Sequence, residues 1–190
     1  TVPSWLTVDD VTVRSPNGSE VVLPLPRDRG TYAAVARRSD LDAALVALAR
    51  TSGVEVREGR AVTGIDRSDD HALVHTDDGD ALRTRYVIAA DGMWSPTRRL
   101  LGVEETGYRG EWHAFRQYVR NVSPRAASEL IVWFEPDLLP GYAWSFPLPD
   151  GRANVGFGIL RDADGRGYGV PAMGQVWREL LARPHIREFL

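Results

Sequence analysis

The sequence predicts an α+β chain built mostly on antiparallel strands, and three observations carry that expectation. Between residues 111 and 160, four strand-like segments follow one another with no helical periodicity between them. Only two stretches show a clear helix pattern, one from about residue 39 to 52 and one from about 172 to 190. Turn sequences rich in Asp, Asn, Pro and Gly separate neighbouring strand candidates, as antiparallel pairing requires.

Residues 1–36 read as irregular strands: Val11 and Val13 alternate, Pro16-Asn17-Gly18 turns, and Val21-Val22-Leu23 follows. The first helix is expected to open at Ser39 as N-cap, with Asp42 three positions later, where a negative charge favours the helix N-terminus. Leu41, Leu45 and Leu48 recur at i, i+4 and i+7 and predict one buried stripe. Gly53 supplies the C-terminal stop. Extended pieces are expected at Val54–Val56, Ala61–Ile65, His71–Thr76 and Ala81–Ala90, with Asp77-Asp78-Gly79-Asp80 as a hairpin turn. The stretch Tyr86-Val87-Ile88-Ala89-Ala90 is almost continuously apolar, the pattern of a strand buried on both faces. Downstream strands are expected at Glu111–Asn121, Glu129–Glu135, Tyr142–Leu148 and Arg152–Leu160, before helix 172–190.

Composition excludes several classes of function. The net charge of −3 leaves no basic footprint for nucleic acid. With no cysteine there is no disulfide, thiolate metal site or cysteine nucleophile. The histidines His71, His75, His113 and His185 lack ligand spacing, so no metal site is expected. No apolar run approaches the roughly 20 residues of a spanning helix. The first residues carry no signal-peptide pattern. A cytoplasmic protein is the simplest expectation, with peripheral membrane contact left open.

The most specific local pattern runs Tyr86-Val87-Ile88-Ala89-Ala90-Asp91-Gly92-Met93-Trp94-Ser95-Pro96-Thr97-Arg98-Arg99-Leu100-Leu101-Gly102. An apolar strand there delivers a carboxylate and a glycine to the start of a helix. Ser95 is a good N-cap and Pro96 fits N1, where its missing N–H costs nothing. Asp91 can accept hydrogen bonds from ribose hydroxyls or from water on a diphosphate, or it can simply make the turn. Upstream, Arg38 precedes a helix N-terminus, where the dipole and free N–H groups already favour a phosphate. Farther on, Tyr142, Trp144 and Phe146 share one face of a strand. If Asp150-Gly151 is a two-residue turn, Phe146 pairs with Val155, Trp144 with Phe157 and Tyr142 with Ile159. One face is then wholly aromatic and aliphatic, and the other holds Ala143, Ser145, Asn154, Gly156 and Gly158. Arg116 and Tyr118 share a face of the strand before it.

These motifs resemble the geranylgeranyl reductase family, within the flavoproteins built like aromatic hydroxylases. The segment around Asp91 is similar to that class's Asp-Gly signature at Asp91, Gly92, Ser95, Arg98 or Arg99, and Gly102. Arg38-Ser39-Asp40-Leu41-Asp42 resembles the arginine-led opening of the helix that borders the cofactor. Pro140-Gly141-Tyr142-Ala143-Trp144-Ser145-Phe146-Pro147 resembles the Tyr-x-Trp-x-Phe-Pro motif of the reductases, and Gly151–Gly158 their glycine-punctuated strand. The resemblance covers nearly all of this chain but only the middle of the family.

The resemblance implies FAD as cofactor, held in part by Arg38, Val62, Asp91 and Gly92. It implies substrate contacts from Tyr142, Trp144, Phe146, Arg116 and Tyr118. The expected architecture is a mostly antiparallel substrate-domain sheet with part of a Rossmann-like FAD-binding α/β domain. Segments 1–36 and 104–190 would belong to the substrate side, and 37–103 to the FAD side. The implied activity is reduction of carbon–carbon double bonds in an isoprenoid, a geranylgeranyl lipid or a quinone tail. An electron donor, NAD(P)H or a reduced carrier, is implied with it. No catalytic acid or base is expected, because the flavin carries the chemistry. Two other readings are open: a flavin hydroxylase or halogenase, or a chain that keeps the fold and binds lipid or a partner without flavin. The glycine-rich diphosphate loop does not occur in this sequence, since Arg161 stands at the third glycine position after Gly156 and Gly158. By itself the chain is expected to hold FAD poorly and to be inactive.

Overall fold

A computed structural model describes residues 1–28, 30–103, 110–161 and 173–190. In chain order the elements begin with β1 (Leu6–Val8), β2 (Asp10–Arg14), β3 (Glu20–Pro24), β4 (Ala33–Val35) and α1 (Arg38–Thr51). They continue with β5 (Val62–Arg67), β6 (Ala72–Thr76), β7 (Ala81–Thr84) and α2 (Pro96–Leu100). The last group is β8 (Trp112–Arg120), β9 (Leu130–Trp133), β10 (Tyr142–Leu148), β11 (Arg152–Leu160), α3 (Met173–Ala182) and α4 (Pro184–Phe189). The α+β, mostly antiparallel class expected from the sequence is what the structure shows. Two units divide the chain: residues 1–48 with 111–190, and residues 49–110.

The larger unit is organised by a six-stranded sheet in the order β3-β2-β9-β10-β11-β8. Every pairing in it is antiparallel except β2 with β9. One face carries Ile131, Trp133, Ala143, Ala153, Val155, Phe157 and Ile159, and packs against Val176, Trp177 and Leu180 of α3 and Ile186 and Phe189 of α4. Phe115 and Phe157 both lie against the Trp177 ring, at centroid distances of 5.2 and 6.4 Å. Each large side chain fully buried there contributes roughly 1.5–3 kcal/mol. A second small core joins Val8, Val35 and Leu148, with Phe146 and Leu130 packed against it, so the β1–β4 ribbon covers one end of the opposite face.

The smaller unit holds the antiparallel sheet β5-β6-β7 and α2. Its β6–β7 turn is the one expected: Gly79 has φ 89°, and Asp78 accepts hydrogen bonds from the Thr76 hydroxyl and the Asp80 N–H.

Several expectations need correction. Helix α1 begins two residues early, with Arg37 in the N-cap position and Ser39 inside the helix; the Leu41 N–H donates to the Arg37 carbonyl at 3.0 Å. No residue of α1 is buried, and Leu45 and Leu48 are exposed. A helical apolar period reports that a face suits burial, and it does not supply the layer that would bury it. Val54–Val56 forms no strand. Strand β7 stops at Thr84, and Tyr86 and Ile88 are 82% and 90% exposed rather than buried on both faces. An apolar run becomes a strand only where neighbours take its N–H and C=O groups, and no described strand does so here. The helical segment near the C-terminus splits at Arg183, whose extended backbone (ψ 129°) precedes Pro184. Residue 172, its expected start, lies outside the described residues.

The correction with most consequence is in the β10–β11 hairpin. Leu148 pairs with Arg152 across a three-residue loop, Pro149-Asp150-Gly151, with Asp150 and Gly151 at φ 64° and 62°. The register therefore slips by one residue from that of a two-residue turn. Tyr142, Trp144 and Phe146 face Gly158, Gly156 and Asn154, and Val155, Phe157 and Ile159 turn to the helix-covered side. A one-residue slip moves every side chain of a strand to the opposite face.

Candidate functional site

The face of the six-stranded sheet turned away from α3 and α4 presents an aromatic stripe. Rings follow one another along it, Phe134–Tyr142, Tyr142–Trp144 and Trp144–Phe146, at centroid distances of 5.9, 5.8 and 5.9 Å. Tyr142 is exposed, Phe146 is half-buried, and Trp144 retains only 9% of its accessible surface. Trp144 is covered because it lies down on Gly156: a Cβ at that glycine would sit 2.5 Å from Trp144 Cζ2 and 2.6 Å from the Phe115 carbonyl. Bare backbone under the indole keeps the stripe low against the sheet.

Strand β8 continues the same face. Arg116 lies opposite Gly156 and Tyr118 opposite Asn154. The Arg116 guanidinium stacks over the Tyr118 ring at 5.0 Å. Beside this pair is a cavity of about 420 Å³ lined by Arg116, Tyr118, Phe146, Asn154 and Leu130 together with Arg38 and Leu41 of α1 and residues of β4. The structure thus brings Arg38, expected at the cofactor, into one cavity with Arg116, Tyr118 and Phe146, expected at the substrate. Arg38 is already engaged, since its guanidinium pairs with Asp42 one turn on, at 3.0 Å. Tyr142 and Trp144 lie along the stripe, outside that cavity's lining.

The other cofactor candidates belong to the smaller unit. Val62 opens β5 opposite Thr76, next to a register irregularity before Gly64. Asp91 accepts the Ser95 hydroxyl at 2.5 Å on one oxygen and the Thr97 N–H at 2.9 Å on the other. Ser95 in turn accepts the Arg98 N–H at 3.1 Å, as the N-cap expected of it. These hydrogen bonds from Ser95 and Thr97 hold the Asp91 carboxyl well below the usual carboxylate range. Asp91 is therefore ionised at neutral pH and fixes the loop that enters α2. Gly92 has φ 79°, a conformation that favours glycine, and nothing lies within 4 Å of where its Cβ would be.

The family model described as FAD binding domain matches residues 13–138 of this chain. The chain belongs to the FAD binding domain family. It is 30% identical over 173 residues to the digeranylgeranylglycerophospholipid reductase of Methanosarcina acetivorans, covering 86% of this chain and 42% of that protein. It is 34% identical over 158 residues to the menaquinone reductase of Mycolicibacterium smegmatis, covering 77% and 37%. The chain thus spans about two fifths of the length of these relatives. Among solved structures, a geranylgeranyl bacteriochlorophyll reductase-like protein from Thermoplasma acidophilum superposes with a TM-score of 0.75 at 21% identity, covering 96% of this chain and 47% of that one. Halogenase PltM, solved with phloroglucinol and FAD, gives 0.74 at 19% identity, covering 100% and 42%. At such identities the likeness is one of fold.

The residues of this FAD-binding chain fit the cofactor in part. Open space beside the Gly92 backbone admits a ligand, and the Arg38 guanidinium keeps outward N–H donors after pairing with Asp42. Asp91 has each oxygen engaged within its own loop, so it positions Gly92 as much as it offers an acceptor. Sequence reasoning missed Asn154 as a lining residue, because the assumed register turned it to the other face. The signal was Pro149, which lengthens the loop. It missed Phe134 as the stripe's continuation, since an isolated aromatic after a strand carries no pattern. Among the described residues no cluster suited to a metal occurs, and no helix is long and apolar enough to cross a membrane.

Proposed function

We propose that this chain forms the substrate-facing sheet and part of the cofactor site of an FAD-dependent reductase that saturates carbon–carbon double bonds in an isoprenoid chain. The observation that carries this reading is the unbroken aromatic stripe Phe134–Tyr142–Trp144–Phe146 on the sheet face opposite the helix-packed core. It is too extended to seat one small polar substrate and suits an apolar chain laid along a strand. Two relatives, named for a digeranylgeranylglycerophospholipid and for a menaquinone, support a lipid substrate. Segments 1–36 and 104–190 form the substrate side of the enzyme, and 37–103 contribute to the cofactor side.

Reduced FAD, when bound, would supply a hydride to one carbon of the double bond, with solvent supplying the proton for the other, and an external donor such as NAD(P)H or a reduced carrier would reduce the flavin again. The chain's own residues bind and orient. Arg38 offers N–H donors to a phosphate, Asp91 holds the loop that presents the Gly92 backbone, and Val62 borders the nucleotide through its strand. Tyr142, Trp144 and Phe146 exclude water from the apolar chain and fix its path, while Arg116 and Tyr118 close the far end.

The test uses the full-length protein that carries this chain, with reduced FAD and a geranylgeranyl substrate beside a single-isoprene analogue. Mass spectrometry should find two hydrogens added per double bond. Tyr142→Ala should lower kcat/KM for the long substrate by about ten- to a hundredfold, through lost apolar contact worth roughly 1–3 kcal/mol, and spare the short one. An oxygenated or halogenated product would assign the chain to the hydroxylases or halogenases instead.

A further inference from the structure

We infer that Arg116, with Asn154 beside it, anchors an anionic head on the ligand whose apolar tail follows the aromatic stripe. The tail half of this statement rests on the isoprenoid reading above; the head half rests on charge and unmade hydrogen bonds. Two arginines and no carboxylate line the cavity of about 420 Å³. Arg38 is neutralised by Asp42, whereas Arg116 has no carboxylate within salt-bridge distance among the described residues. Its guanidinium stacks over the Tyr118 ring at 5.0 Å. Stacking occupies the face of a guanidinium and leaves its in-plane N–H fork free, the geometry that takes a phosphate or carboxylate two bonds at a time.

Asn154 supplies the second, independent observation. It lies between Tyr118 on β8 and Phe146 on β10, and its buried Oδ1 meets no hydrogen-bond partner. An acceptor oxygen is not completed by an anion, so the part of Asn154 that serves an anionic head is the other end of the same amide, its NH2. That NH2 is not among the buried unpartnered atoms, and it can donate to an anion held by Arg116.

The arrangement also gives the ligand a direction. The β1–β4 ribbon covers the Phe146–Leu148 end of this face, and Tyr142 at the other end is exposed. A head held at Arg116 and Asn154 lies level with Trp144 and Phe146, next to the sheltered end. The tail then runs over Phe146, Trp144 and Tyr142 for roughly 13 Å, four strand steps, toward the open end.

The experiment measures binding to the 190-residue chain by tryptophan fluorescence, with dodecyl phosphate, dodecanol, inorganic phosphate and ADP as probes. Dodecyl phosphate should bind at least about tenfold tighter than dodecanol, as a charge-assisted pair provides. Arg116→Gln should bring that ratio close to one, and Asn154→Leu should reduce it by about threefold, the effect of one neutral hydrogen bond. Circular dichroism melts identify variants that keep the fold. Equal affinity of the two dodecyl probes, or a ratio untouched by Arg116→Gln, overturns the anchor and leaves the apolar stripe standing. Inorganic phosphate binding as tightly as dodecyl phosphate would make this a free-anion site, and displacement by equimolar ADP would give the pocket to the cofactor's diphosphate. Either result overturns the proposal. If neither dodecyl probe binds, the isoprenoid reading fails and the anchor fails with it.

Discussion

The two faces of the six-stranded sheet are made by the same strands, yet they have opposite fates. On one, Phe157, Val155, Ile131 and Trp133 disappear beneath α3 and α4. On the other, Tyr142, Trp144 and Phe146 form an equally aromatic row that neither α3 nor α4 covers, and among the described residues its polar atoms, Trp144 Nε1 and Asn154 Oδ1, go unpartnered. The difference teaches that apolar character alone does not distinguish core from binding wall. What distinguishes them is whether the chain itself completes the contact. The sharpest test substitutes one aromatic residue on each side. Phe157→Ala should cost about 3–5 kcal/mol of stability in a denaturant titration, because its ring is fully buried between Phe115 and Trp177. Tyr142→Ala, on the open row, should cost less than about 1 kcal/mol. Equal losses would break the comparison and make the stripe a second core.

The glycines of β11 sharpen the same contrast at smaller magnitude. Gly156→Ala places a methyl 2.5 Å from Trp144 Cζ2, 2.6 Å from the Phe115 carbonyl and 2.8 Å from Arg116 Cβ. The indole must lift and the β8 backbone must draw back from the new methyl, at a cost of about 1–3 kcal/mol. Gly158→Ala meets the His113 carbonyl only at 3.7 Å and Trp144 at 4.0 Å, ordinary contacts, so its effect should stay within about 0.5 kcal/mol. Thermal melts read the stability difference, and a red-shifted tryptophan emission in Gly156→Ala alone would show the indole displaced. Identical behaviour of the two variants would mean that Trp144 does not rest on Gly156.

Much of the larger unit was legible because its strands carry their own punctuation. Strands β10 and β11 begin and end where alternation and the Pro149-Asp150-Gly151 turn place them. Ser95 and Pro96 likewise announce α2. The failures over burial share one cause. Leu45, Leu48 and the Tyr86–Ala90 run are patterned for burial, but burial takes a second surface, and a local pattern is silent about whether that surface is present. The hairpin register failed for a different reason: Asp150-Gly151 is a strong two-residue turn signal, and Pro149 adds one residue that reverses which side chains share a face. The candidate residues Arg38, Arg116, Tyr118 and Phe146 were picked out by type, and their meeting in one cavity was not foreseen. Sequence spacing does not encode the approach of α1 and β4 to β8 and β11.

The smallest expected effect separates the faces at a single atom. Ser145 lies between Trp144 and Phe146 in sequence but points to the packed side, opposite Ile131 and Val155. It is fully buried, and its Oγ has no hydrogen-bond partner. A hydroxyl in that position gave up its water on folding and received nothing in return, whereas the methyl of alanine fits the same space without that penalty. Ser145→Ala should therefore be neutral or stabilising by up to about 1 kcal/mol, read as an unchanged or raised denaturation midpoint with an unaltered m-value. Affinity for dodecyl phosphate should not move, because the side chain faces away from the stripe. A loss of more than about 1 kcal/mol would show that Oγ is satisfied, by a buried water for instance, and that the packed face is less dry than its side chains imply. A change in ligand affinity at constant stability would instead put Ser145 on the binding side and reverse the register on which the two faces were assigned.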